Sequence, residues 1–218
     1  MGGKITALRV QKRNKERVNV YLDGEFAFGL TALEAMHLQV GQELSEEEIA
    51  RLRARDLVER AYQRALHFLS YRPRSTAEVR TYLQRKGTPP EAIEEVIARL
   101  ERVGLIDDVA FARFWLENRE TFRPRGKRGL RYELRQKGIA PAIIEEILTD
   151  YDEEAAAYRV ALARARRLPK DDARVFRKRL YDYLARRGFD YEVIQTVVTR
   201  VEAELADETI PTRRGHEE

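Results

Sequence analysis

The chain has 218 residues, 36% charged and 43% hydrophobic, with a formal net charge of +4 and a sequence pI near 9.3. Charge this far above the usual quarter means much surface for little core, and the absence of cysteine excludes a disulfide framework and a thiol nucleophile. No apolar run approaches the roughly 18 residues of a membrane span, and no signal-peptide core opens the chain, so a cytoplasmic protein is expected.

Residues 4 to 30 alternate with period two, through Ile5, Ala7, Leu8 and Val10, then Val18, Val20 and Leu22, then Phe26 and Phe28. Lys12 to Lys15 form a polar loop, and Asp23-Gly24 is a type I′ turn pair, so a hairpin extended to three antiparallel strands is predicted. Thr31 and Glu34 open a short helix with Leu33, Met36 and Leu38 on its apolar face, closed by Gly41. Ser45 and Glu48 cap a longer helix that runs on toward the rest of the chain. Residues 1–56 are read as one small module.

From about residue 57 the sequence repeats. Leu83-Gln-Arg-Lys-Gly87, Leu134-Arg-Gln-Lys-Gly138 and Leu184-Ala-Arg-Arg-Gly188 lie 51 and 50 residues apart. After each glycine comes the same apolar face, at Ile93, Val96, Ile97 and Leu100, at Ile144, Ile147, Leu148 and Tyr151, and at Ile194, Val197, Val198 and Val201. Before each glycine stand Val79, Tyr82 and Leu83, then Leu130, Glu133 and Leu134, then Leu180, Tyr183 and Leu184; Glu133 alone breaks the apolar match. Each unit is a helix, a glycine in the left-handed C′ conformation and a second helix folded back. Ala61, Tyr62, Ala65 and Leu66 supply a first helix for one unit, and Phe111, Ala112, Trp115 and Leu116 for the next. The prediction is a mainly α protein: three tandem three-helix repeats, residues 57–108, 109–154 and 155–206, forming an elongated curved array of small cores. The third repeat breaks at Leu168-Pro169-Lys170, and residues 207–218 are expected to be a disordered tail.

Charge is segmented. Arg113 to Gly138 holds nine Lys or Arg against three Glu, Arg164 to Arg187 ten against three acids, and Glu145 to Glu154 six acids with no base. Arg72-Pro73-Arg74 and Arg123-Pro124-Arg125 each lie 15 residues before a repeat glycine, at junctions where no core demands a cation. Candidate partner-binding residues are therefore Arg72, Arg74, Arg85, Lys86, Arg123, Arg125, Lys127, Arg128, Lys137, Arg186 and Arg187. Catalytic machinery is not in view. His37, His67 and His216 are scattered, Asp107-Asp108 and Asp171-Asp172 fall at helix starts, and neither a metal-ligand spacing, a Walker loop nor a dinucleotide fingerprint occurs. Tyr62, Tyr82, Tyr132, Tyr183 and Trp115 fall at or beside core positions and read as packing. No catalytic residue, cofactor or metal is expected, and the chain is read as a monomer.

Arg72-Pro-Arg-Ser-Thr-Ala-Glu-Val79, the three Leu-x-x-x-Gly segments, Gly104-Leu-Ile-Asp-Asp108 with Phe111-Ala112, and Gly188-Phe189 together resemble the RecX family of recombination regulators, over residues 57–205. The resemblance implies three tandem three-helix repeats. It also implies a partner, the RecA recombinase, in whose filament groove on DNA such proteins lie and whose ATPase and strand-exchange activities they depress, a role in homologous recombination, DNA repair and the SOS response. The rival reading from composition is a basic helical-repeat protein acting mainly on DNA, single- or double-stranded.

Overall fold

The computed structural model describes residues 2–169 and 171–209, the last three by their backbone alone. Among them are four strands and ten α-helices, and the chain divides after Asp107 into two compact units. His216, Lys170 and all of the expected tail beyond Thr209 lie outside the described residues.

The first unit opens with β1 (Gly3–Val10), β2 (Arg17–Leu22) and β3 (Glu25–Thr31), paired antiparallel and joined by the loop 11–16 and the two-residue turn Asp23-Gly24. Asp23 and Gly24 both take positive φ, 49° and 92°, which is what the type I′ turn requires. The sheet has four strands, not three. Its order is β3-β2-β1-β4, because β4 (Glu43–Leu44) pairs with Gly3 and Lys4 on the free edge of β1. Two residues carry too little alternation to be read as a strand. A second correction concerns Phe26: a bulge between Val20 and Tyr21 sets Phe28 opposite Val20 but Phe26 opposite Tyr21. Phe28 is buried at 7% exposure while Phe26 is 60% exposed. The short helix α1 (Ala32–Ala35) is capped by Thr31 as predicted, yet Leu33 and Met36 face solvent. One turn is too short to bury a stripe, and only Ala35 goes in.

Helix α2 (Glu46–Leu69) starts on the Ser45/Glu48 capping box and runs 24 residues without a break through positions 56 and 57. Its first half packs Ile49 under Ile5, Val20 and Leu30 of the sheet. Its second half contributes Ala61, Tyr62 and Ala65 to the first repeat, completed by α3 (Thr76–Arg85) and α4 (Pro90–Arg102).

The second unit contains α5 (Asp108–Phe122), α6 (Lys127–Gln136) and α7 (Pro141–Thr149), then α8 (Glu153–Ala165), α9 (Ala173–Arg186) and α10 (Tyr191–Thr209). The predicted string of small cores is corrected here: repeats two and three share one core, from Phe111 through Leu134, Ile144 and Ala157 to Leu184 and Val201. Backbone contact explains the fusion. Gly126 donates its N–H to Arg187 O at 3.1 Å, and Gly129 N lies 3.4 Å from Gly188 O, so the start of α6 rests directly on the turn after α9. A Cβ on Gly188 would meet the Cα of Gly129 at 2.6 Å.

Candidate partner-binding surface

In the second unit the fused turn collects most of the predicted cations. Arg187 donates to Pro124 O at 3.1 Å and Arg128 to Ala185 O at 3.3 Å, which ties the 123–128 loop to the 184–188 turn. Arg123, Arg128 and Arg186 are exposed, and Lys127 is half-buried. The Lys127 backbone N–H donates to Glu153 at 2.9 Å, and the same carboxylate oxygen accepts from Asp190 N at 3.2 Å. Glu153 therefore serves the starts of two helices from a position only 7% exposed, and burial pushes its carboxyl above the ordinary value despite both bonds. The Tyr151 hydroxyl donates to Arg125 O at 2.7 Å and fixes the loop from below; burial raises that phenol too.

Arg125 and Lys137 meet through a polar cluster. Arg125 reaches Glu133 at 2.6 Å, Arg119 reaches it at 2.7 Å, and the Trp115 indole N–H donates to it at 2.8 Å. Arg119 and Lys137 lie over the Trp115 ring, 4.4 and 4.9 Å from its centroid. Glu133 stood out in the sequence as the one polar residue in an apolar series, and that was the available signal for this cluster; Arg119 carried none.

The first unit places Arg72, Arg74 and Lys86 along a comparable ladder. Arg72 grips Glu78 with two bonds of 2.9 and 3.1 Å, Arg74 lies 4.0 Å over Phe68, Phe68 stacks on Tyr82 at 4.2 Å, and Lys86 sits 5.7 Å from Tyr82. Burial and the neighbouring Arg72 charge both lower the Arg74 pKa, and its Nε is buried with no hydrogen-bond partner. Arg85 is exposed. The third repeat repeats the theme with Arg164 and Arg187 over Tyr183. Tyr132, read as a packing residue, is 66% exposed. The predicted cations thus divide into those open to solvent, Arg85, Arg123 and Arg186, those exposed but held by one contact, Lys86 on Tyr82 and Arg128 on Ala185 O, and those anchored on side chains of the fold, Arg72, Arg74, Arg125, Lys137 and Arg187, with Lys127 half-buried.

Four family models match in chain order. They are the N-terminal domain of regulatory protein RecX over residues 3–45 and the first, second and third RecX three-helix domains over 61–100, 107–148 and 152–198. Regulatory protein RecX of Bacillus subtilis strain 168 is 36% identical over 211 residues, covering 94% of this chain and 80% of its own length. The chain belongs to the RecX family. The RecX of Listeria monocytogenes EGD-e is 31% identical over 212 residues, covering 94% of this chain and 79% of its own. A crystal structure of a regulatory protein RecX matches with a TM-score of 0.73 at 32% identity, covering 89% of this chain and 98% of that one. The RecX crystal structure from Lactobacillus salivarius matches at 0.62 with 26% identity, covering 68% of this chain and 98% of its own. These relatives are named as regulatory proteins, and no helix among the described residues is long and apolar enough to cross a membrane.

Proposed function

We propose that this RecX-family chain acts in the cytoplasm as a monomer that binds the RecA recombinase filament along its groove and depresses its ATPase and strand-exchange activities. The observation that carries the reading is the fused turn of repeats two and three. It holds Arg123, Arg128 and Arg186, from two successive repeats, on one rigid backbone platform, and no core contact needs their charge. Cations preset in this way meet a partner with little further ordering cost, so binding energy is available to discriminate between filament states. Inhibition then follows from tighter binding to one filament conformation, without contact with nucleotide.

The test is co-sedimentation with RecA filaments, with bare DNA as control, using wild type and an Arg123→Ser, Arg186→Ser variant. Arg125, Arg128 and Arg187 are left in place because they hold the loop and the turn. The variant is expected to keep its helicity, to lose at least tenfold in filament affinity and to stop inhibiting filament ATPase, with a smaller change on bare DNA. An equal loss on both supports the DNA-directed alternative. Full inhibition by the variant removes this surface from the mechanism.

A further inference from the structure

The first unit contains a cleft of about 500 Å³ whose walls come from β3, α2 and the repeat turn between α3 and α4. Arg53, Arg60, Arg64 and Lys86 line it, against one carboxylate, Asp56. That carboxylate is already neutralised, because Arg17 of β2 reaches Asp56 at 2.8 Å and Asp56 is only 8% exposed. Arg60 and Arg64 have no carboxylate partner among the described residues, and Lys86 sits against the Tyr82 ring. Arg53 donates to Ala27 O at 3.2 Å and lies over the Phe28 ring, so Arg60, Arg64 and Lys86 are the cations left open to an anion.

Two further features narrow the ligand. Phe26, turned outward by the β2–β3 bulge, places a 60% exposed ring among these cations. Thr88, also on the wall, is 8% exposed and its hydroxyl has no hydrogen-bond partner. The corresponding positions of the other repeats are Ile139 and Phe189, both buried in the core. A buried, unpartnered hydroxyl is unfavourable where an apolar side chain fits, so the first repeat departs from the core pattern at the point where it borders the cleft.

We propose that this cleft binds a single nucleic-acid strand, with phosphates between Arg60, Arg64 and Lys86 and a base against Phe26. Cations that track a backbone beside an aromatic ring are the chemistry of single-strand binding, since a base face is open to stacking only outside a duplex. The site is distinct from the fused turn of the second unit that carries the proposed function, and it does not depend on the recombinase.

The experiment uses the full chain alone, without recombinase, and a fluorescein-labelled 20-nucleotide oligo-dT read by anisotropy at two salt concentrations. Arg60→Glu with Arg64→Glu is expected to weaken binding at least tenfold and to flatten the salt slope by about 0.7 for each phosphate no longer neutralised. Lys86→Gln, at an exposed position, supplies a second charge variant, with helicity checked by circular dichroism. Phe26→Ala is expected to cost fivefold or more with little change in slope, and 5-iodouracil photocrosslinks should map to the Phe26 peptide. The proposal is overturned if both charge variants stay within twofold of wild type or if crosslinks map only to residues 123–187. It is equally overturned if a duplex of the same length binds as well, or if free thymidine monophosphate at equal nucleotide concentration displaces the strand. Filament ATPase reports separately on the proposed function, so failure of one leaves the other standing.

Discussion

Two carboxylates show how single side chains organise the second unit. Glu133 accepts from Arg119, Arg125 and Trp115 at once, turning a position that the other repeats fill with tyrosine into a polar clasp. Glu153 is more deeply placed and serves backbone N–H groups instead, those of Lys127 and Asp190. Its charge there works against burial, which raises its carboxyl above the ordinary 4.5. A carboxyl raised on folding binds protons more readily in the native state. Its contribution to stability is fully present below the ordinary value and is lost as pH rises through the raised one. Glu153→Gln keeps an oxygen for both N–H groups and removes the charge. The melting temperature of the variant should therefore gain on wild type as pH goes from 4 to 8. Thermal melts that track in parallel over that range would contradict the assignment of Glu153 as a charge held at a cost.

At the scale of the helix and its turn, the three repeats use one device with different consequences. Gly87, Gly138 and Gly188 have φ of 74°, 75° and 79°, so each turn needs the left-handed conformation. The sequence alone makes Gly87 and Gly188 equivalent, yet their surroundings differ. A Cβ on Gly87 meets nothing within 4 Å, whereas one on Gly188 runs into the backbone of Gly129. Gly87→Ala should cost about 1 kcal/mol of conformational strain. Gly188→Ala adds a backbone displacement at the joint of two repeats and should cost at least about 1 kcal/mol more. Denaturant melts of the two variants decide this, and equal losses would mean that the close approach of α6 to the turn is absent in solution. Bidentate pairs recur at the same spacing, with Arg80 on Glu94 and Arg131 on Glu145 linking the second and third helices of repeats one and two. They fix register more than they stabilise, being largely exposed.

On the scale of the molecule, the shared core makes repeats two and three a single cooperative body. Leu184, fully buried in α9, belongs to the same cluster as Leu134 of α6 and Ile144 of α7. Leu184→Ala should cost about 2–5 kcal/mol. Hydrogen exchange should then quicken in α6 and α7 as well as in α9 and α10. Acceleration confined to the third repeat would restore the independent-core picture. For the proposed function, the fusion matters because the loop 123–128 and the turn 184–188 are joined through backbone hydrogen bonds.

The sequence by itself determined the repeat. A period of 50 to 51 residues, glycine at each turn and an i, i+3, i+4, i+7 stripe leave few arrangements other than stacked three-helix units, and the capping boxes at Ser45 and Ser75 mark helix starts by local chemistry alone. The motifs pointed to the family over residues 57–205, while the family match also takes in the strand module. Local signals did not reach what depends on neighbours distant in sequence. The pairing of β3 with β2 left Ala27 as a bulge and reversed Phe26, a two-residue strand closed the sheet edge, and glycine-to-glycine contact merged two cores. The same limit applies to the candidate surfaces. Basic residues are visible in any sequence, but Arg125 held by Glu133 and Arg123 open to solvent look alike until the chain is folded. The cleft of Arg60, Arg64 and Lys86 unites α2 with a turn more than 20 residues later, a proximity set by packing and not by spacing.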